Sequence, residues 1–180
     1  MDMVAKHAGM TKRTIYKYFP DKRTLFFEVI NESIGEPHLS IRPLDKILNS
    51  EDFYEALFII ARWLNNTYAD PRYLSLLRIV VTEVDKQQEL MGIIENGITR
   101  RAFETLTPLF RHANTIDIVH IAHPEMIAKS FIGGLLYDFY VDGLLTINPG
   151  SVQRYSGREL MNYINAIITL PVKKYEGSTQ

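Results

Sequence analysis

Val4-Ala5-Lys6-His7-Ala8-Gly9-Met10-Thr11-Lys12-Arg13-Thr14-Ile15-Tyr16-Lys17-Tyr18-Phe19-Pro20-Asp21-Lys22 is a stretch punctuated for two short helices about a tight turn. Residues 2–8 form a helix that stops at Gly9, since glycine accepts the positive φ of a position just past a helix end. Thr11 can cap a second helix over 12–18 through its side-chain oxygen. Small Ala5 and Ala8 let two helices cross closely. Pro20-Asp21 turns the chain, and Asp21 can cap a third helix over 22–34 that ends at Gly35. A short helix presented in this way can enter the major groove with its amino-terminal residues against base edges. Its free N–H groups also suit phosphate.

Charge follows the same division. Residues 1–23 carry Lys6, Lys12, Arg13, Lys17, Lys22 and Arg23 against Asp2 and Asp21, a net charge of +4; the remaining chain is −5, for a total of −1. A basic head on an acidic body is the asymmetry of a protein whose one end meets a polyanion, although a solvated basic end has the same look.

Farther along, almost every segment reads as helix, so the fold class is all-α. Residues 36–50, with Pro37 and Pro43, form a connector with a short turn around 44–48. Ser50 is the expected cap of a helix over 51–68 with Phe53, Leu57, Ile60, Leu64 and Tyr68 on one face. Pro71 opens a helix over 71–86 with the stripe Leu74, Leu77, Val81 and Val84. A longer helix over about 87–112, bent near Pro108, is followed by a loop over 113–123. Pro124 begins a helix to about 145 that is apolar on nearly all sides and must be covered on most of them. After a polar loop over 146–155, Ser156 and Glu159 form a capping box. They open a helix with Leu160, Tyr163, Ile164, Ile167 and Ile168 on one face, stopping at Pro171. The tail from Val172 to Gln180 is polar.

With 180 residues, 46% of them hydrophobic and 23% charged, the chain can bury a real core. It has no cysteine, which excludes a disulfide framework, a Cys-ligated metal and a thiol nucleophile, and is compatible with a reducing cytoplasm. No apolar run is long enough for a transmembrane helix, and Met1–Gly9 has no signal-peptide core. A cytoplasmic protein with no membrane partner is expected. Glycine loops for phosphate, nucleophile elbows and carboxylate pairs at useful spacing are all missing, so no enzyme is expected. His112, His120 and His123 invite a metal, but Pro124 breaks the helical spacing and no third ligand completes a set; neither metal nor cofactor is expected.

In Gly9, Thr11, Tyr16, Tyr18, Phe19 and Lys22 the head strongly resembles the TetR family of bacterial repressors. There a helix, a glycine turn, a recognition helix and a Tyr-x-Tyr/His-Phe motif precede a lysine at the start of a long connecting helix. The match covers about residues 1–35; the body, 36–180, fits by architecture and looks most like AefR-type regulatory domains. The resemblance implies a double-stranded DNA operator read by Thr11, Lys12, Arg13 and Thr14. Lys12 and Arg13 would reach guanine O6/N7 or phosphate. Tyr16 and Tyr18 would be aromatic contacts supported by Lys17, and Lys22 would bind phosphate; packing of either tyrosine into the core is the alternative. Val4, Ala8, Ile15, Phe19, Leu25 and Phe26 would form the head's core. Family members carry a further helix, usually with a basic arm, ahead of this motif, whereas Met1 falls within what corresponds to their second helix. On that comparison Val4, Ala8, Ile15 and Phe19 are expected to be partly exposed, at a cost of several kcal/mol at roughly 25 cal/mol per Å². Weak or absent operator binding is expected of residues 1–180 alone.

The family's body is a ligand-sensing and dimerising domain. A homodimer through the helices at about 124–145 and 156–170, paired as a four-helix bundle, fits their apolar surfaces and Gly133-Gly134; burial of both helices within one monomer is the alternative. A small-molecule inducer, apolar or amphipathic, is expected among the helices at 51–68, 71–86, 87–112 and 124–145. Trp63, Tyr68, Tyr73, Phe103, Phe110, Phe131 and Tyr137 are the candidate walls, each also a plain core residue on the simpler reading. Arg62 and Arg78 could meet an anionic ligand or simply face solvent. The function implied is a repressor released from its operator by that ligand. The rival is a helical ligand-binding or scaffolding dimer that no longer reads DNA.

Overall fold

A computed structural model describes residues 1–34, 39–83, 97–144 and 153–169, and all regular structure among them is helical. The head contains α1 (Asp2–His7), α2 (Lys12–Tyr18) and α3 (Lys22–Ile34). Gly9 has φ of +64°. Around it Met10 N–H donates to the Ala5 carbonyl (2.9 Å) and Gly9 N–H to that of Lys6 (3.4 Å), the paired bonds of a Schellman ending. Thr14 N–H then donates to Thr11 Oγ1 at 3.1 Å, capping α2. Asp21 Oδ1 accepts from Thr24 N–H at 2.7 Å and caps α3. That backbone bond, followed by the Thr24 hydroxyl, holds the Asp21 carboxyl below its usual range.

In the body, a 3-10 turn (Leu44–Lys46) precedes α4 (Ser50–Tyr68), α5 (Pro71–Glu83), α6 (Ile98–Thr115), α7 (Pro124–Asp138), a π-helical turn (Phe139–Leu144) and α8 (Gly157–Thr169). Ser50 is not the cap of α4. Asn49 is, its Oδ1 accepting from Asp52 N–H at 3.0 Å. The extended backbone of Asn49 lets its amide reach that donor, which leaves Ser50 inside the helix. On α5 the buried side chains are Tyr73, Leu74 and Val80, while Val81 is half in water; Val84 lies outside the described residues. The part of the third long helix before Gly97 also lies outside them. Its described part, α6, contains Pro108 and continues past His112 to Thr115. It ends as α1 does: Asp117 takes φ of +62°, and Ile118 N–H donates to the Ala113 carbonyl at 2.9 Å. The Ser156–Glu159 capping box is formed in both directions, Ser156 N–H to Glu159 Oε2 (2.7 Å) and Glu159 N–H to Ser156 Oγ (3.3 Å).

The core lies where α4, α6, α7 and α8 meet. Phe53, Leu57, Ile60 and Leu64 are sealed and Tyr68 nearly so, the five positions that the helical period places on one face of α4. A row of rings crosses the bundle. Phe53 meets Phe110 at 6.1 Å, Phe110 meets Phe131 at 6.5 Å, and Phe131 meets Tyr163 at 5.6 Å, each edge to face.

α7 is covered on one side rather than nearly all round. Phe131, Ile132, Leu135 and Leu136 are buried, whereas Met126 and Tyr137 are more than half exposed. The apolar stripe of α8 turns inward within the chain: Leu160 and Ile164 are buried, and Tyr163, Ile167 and Ile168 pack against the same core. Gly134 serves this packing, because Tyr163 lies across it and donates to the carbonyls of Phe131 (2.7 Å) and Ser130 (3.0 Å).

Candidate nucleic-acid interface and ligand cavity

The candidate nucleic-acid surface follows from how α1 and α2 touch. Their contact uses Ala5 and Ile15, 6% and 4% exposed, so the remaining faces of α2 point outward. Thr11, Lys12, Arg13, Lys17 and Lys22 are exposed and Thr14 is half-buried. Tyr16 and Tyr18 are 47% and 67% exposed, so neither ring is core. Lys17 Nζ lies 5.9 Å from the centre of the Tyr18 ring. Lys12 is drawn back to Asp2 at 2.5 Å, a bond that raises the lysine's affinity for its proton and lowers the carboxyl's. Arg13 and Lys22 make no ion pair among the described residues. Val4 and Ala8, assigned to the head's core but expected to be partly exposed here, are exposed; Phe19, likewise expected to be partly exposed, is half-buried, as are Leu25 and Phe26. Ile15, expected to be partly exposed, is buried, as is Ala5 on α1.

A cavity of about 540 Å³ opens between α5, α6, α7 and the π-helical turn. Tyr68, Tyr73 and Phe103 are on its wall. The other four candidate walls stand elsewhere. Phe110 and Phe131 belong to the sealed ring row, Trp63 packs half-buried against the core, and Tyr137 is 64% exposed. The sequence reading passed over Thr99, Arg100, Lys129, Gly133 and Tyr140, which also line the cavity. Lys129, Gly133 and Tyr140 follow a spacing of four and seven, the signal that could have grouped them on one face. Tyr68 Oη and Thr99 Oγ1 are 2.5 Å apart. Burial pushes the Tyr73 phenol up to about 12 and Tyr68 well above its ordinary range, so both are neutral hydroxyls.

Other singled-out polar groups have local roles. His112 Nε2 bonds the Ile47 carbonyl at 2.9 Å, His120 faces Asp117 at 3.4 Å, and His123 precedes α7 as its cap residue. No cluster of three or more metal-ligating side chains occurs among the described residues. Arg62 lies over the Phe58 ring at 5.8 Å. Arg78 Nε donates to the Gly143 carbonyl at 3.0 Å, tying α5 to the π-helical turn. No helix among the described residues is long and apolar enough to cross a membrane.

Residues 1–29 match the sequence profile of the bacterial regulatory proteins of the tetR family. The fold is similar to a crystal structure from Mesorhizobium loti described as a candidate TetR-family transcriptional regulator. The TM-score is 0.62 at 23% identity, over 92% of this chain and 80% of that one. No curated protein sequence matches the chain. The molecule thus joins an amino-terminal segment similar to that of the tetR regulatory proteins to a helical body, in a fold it shares with that solved structure.

Proposed function

We propose that this chain is a DNA-binding transcriptional regulator, a repressor that a small molecule releases from its operator. The observation that carries the reading is the position of α5. One side of it lines the cavity through Tyr73, Leu77 and Val81, and α3, the helix that leaves the head, packs against it. A ligand that binds one setting of α5 better than the other changes the head's position by that difference in affinity. The exposed Arg13, Tyr16, Tyr18 and Lys22 supply the DNA surface, with Arg13 suited to a guanine edge and Lys22 to phosphate.

The active form is a cytoplasmic homodimer whose two heads address half-sites at least one helical turn apart. The exposed stripe of Met126, Tyr137 and Val141 along α7 and the following turn supports pairing there, beside α8. The body is of the AefR type, a reading that rests on architecture alone.

The test titrates the protein onto the DNA upstream of its own gene at several salt concentrations. Affinity falls steeply with salt, and Lys22→Ala lowers the slope of log K against log salt by about one. Ligand retention with no salt-dependent DNA binding refutes the regulator and leaves the ligand-binding dimer.

A further inference from the structure

We propose that the cavity takes a monoanionic aromatic amphiphile, with its rings in the tyrosine-lined chamber and its acidic group beside Lys129. This rests on the ligand-responsive reading above and adds the chemical class of the ligand.

Charge comes first. Among the described residues no Asp or Glu lines the cavity, and two cations do, Arg100 and Lys129. Arg100 is already compensated, its Nε 2.9 Å from Glu104 Oε1 one helical turn along α6. Lys129 has no ion-pair partner among the described residues; its Nζ stands 6.0 Å from the centre of the Phe103 ring, across the gap between α7 and α6. Among the described residues the wall therefore carries one uncompensated positive charge, which favours one negative charge on the occupant.

The apolar part of the site is aromatic. Tyr68 meets Tyr73 at 5.1 Å and Tyr140 at 6.1 Å, both edge to face, and Phe103 closes the Lys129 side. These rings offer faces and edges to a flat ring system. On the α7 wall Gly133 leaves open space, since a Cβ there would meet nothing within 4 Å. The Tyr73 hydroxyl, kept protonated by burial, is a neutral donor for an oxyanion. A volume of about 540 Å³ lies in the range that encloses drug-sized molecules.

The test uses two fluorescent probes with one ring system: anilinonaphthalene sulfonate, which is anionic, and phenylnaphthylamine, which lacks the sulfonate. Each is titrated against the intact protein and its variants. The sulfonate probe is expected to bind once per chain and more tightly than the neutral one. Lys129→Gln should weaken the sulfonate probe roughly fivefold, the upper range for a solvent-accessible ion pair, and leave the neutral probe unchanged. Gly133→Leu and, on the opposite wall, Val81→Phe should each fill the chamber and exclude both probes while the thermal melt stays cooperative.

Equal binding of the two probes with no effect of Lys129→Gln overturns the anionic class and leaves the ligand-responsive reading standing. Binding that survives both filling variants places the probes on outer apolar surface and overturns the site. Failure of both probes to bind, or of the sulfonate probe alone, overturns the proposal, and failure of both also removes the support the cavity lends to ligand control.

Discussion

Gly133 and Gly134 are neighbours on α7 with opposite expected responses to alanine. In a helix interior the change from glycine to alanine is worth about 1 kcal/mol in favour of the folded state. At Gly133 the new methyl would meet nothing within 4 Å, so Gly133→Ala should keep most of that gain. At Gly134 the methyl would lie 2.5 Å from Tyr163 Oη and 3.0 Å from Cε2, so the end of the ring must leave. With it go the hydrogen bond shared by the Ser130 and Phe131 carbonyls, about 1 kcal/mol, and the edge contact with Phe131, about 0.5–1.5 kcal/mol. Set against the helix gain, Gly134→Ala should destabilise by up to about 1.5 kcal/mol once lost packing around the displaced ring is included. The two variants should therefore differ by about 2 kcal/mol, or roughly 4–8 °C in melting temperature for a chain of this size. Circular-dichroism melts with urea titrations measure both. In a Tyr163→Ala background the clash is gone, and Gly134→Ala should become stabilising, with a coupling energy of about 2 kcal/mol. If Gly134→Ala raises the melting temperature as much as Gly133→Ala does, the close approach of α8 to α7 through this glycine is wrong.

Two further outcomes follow from local chemistry. Asn49→Ala should cost about 1 kcal/mol because Asp52 N–H loses its acceptor, while Ser50→Ala should change stability by less than about 0.5 kcal/mol; the reverse order in urea melts would restore Ser50 as the cap. Stability should also fall between pH 10 and 12. Burial pushes Tyr73 and Tyr163 up to about 12 from 10.0, so in that window the unfolded chain has shed phenolic protons that the folded chain retains. Their contribution is whole below pH 10 and is lost as pH rises through the folded value. Urea midpoints across the range, with tyrosinate absorbance, measure it, and an unchanged midpoint up to pH 12 would show that these rings are not buried as described.

Helix identity and several helix ends were legible in the residues because their causes are local, whereas α6 runs on to Thr115 and α7 gives way at Asp138 to a π-helical turn. Gly9, Thr11, Asp21 and the Ser156–Glu159 pair act on backbone groups a few positions away, and the period of α4 places Phe53 through Tyr68 on one face whatever covers it. The exposure of Thr11, Lys12, Arg13, Tyr16, Lys17 and Tyr18 follows from α2 being a two-turn helix that buries Ile15 alone, although the burial of Ile15 itself was not expected. The Asn49 cap was missed by one residue, because Asn and Ser are equally good caps and only backbone direction separates them.

The cavity needed the tertiary structure. Tyr68, Tyr73 and Phe103 differ from Phe110, Phe131 and Trp63 in what the neighbouring helices place opposite them, not in type or spacing. Lys129 is an ordinary surface lysine by sequence and becomes a cavity cation because α6 brings Phe103 across from it on the same wall. Gly134 reads like Gly133 until Tyr163 lies across it. The amino-acid sequence by itself determined the helices, most of their caps and the outward face of the head's second helix, because those depend on bonds within a few residues. Which apolar side chains became core and which became cavity wall was decided by packing between helices distant in the chain, where a ring is defined by its neighbours.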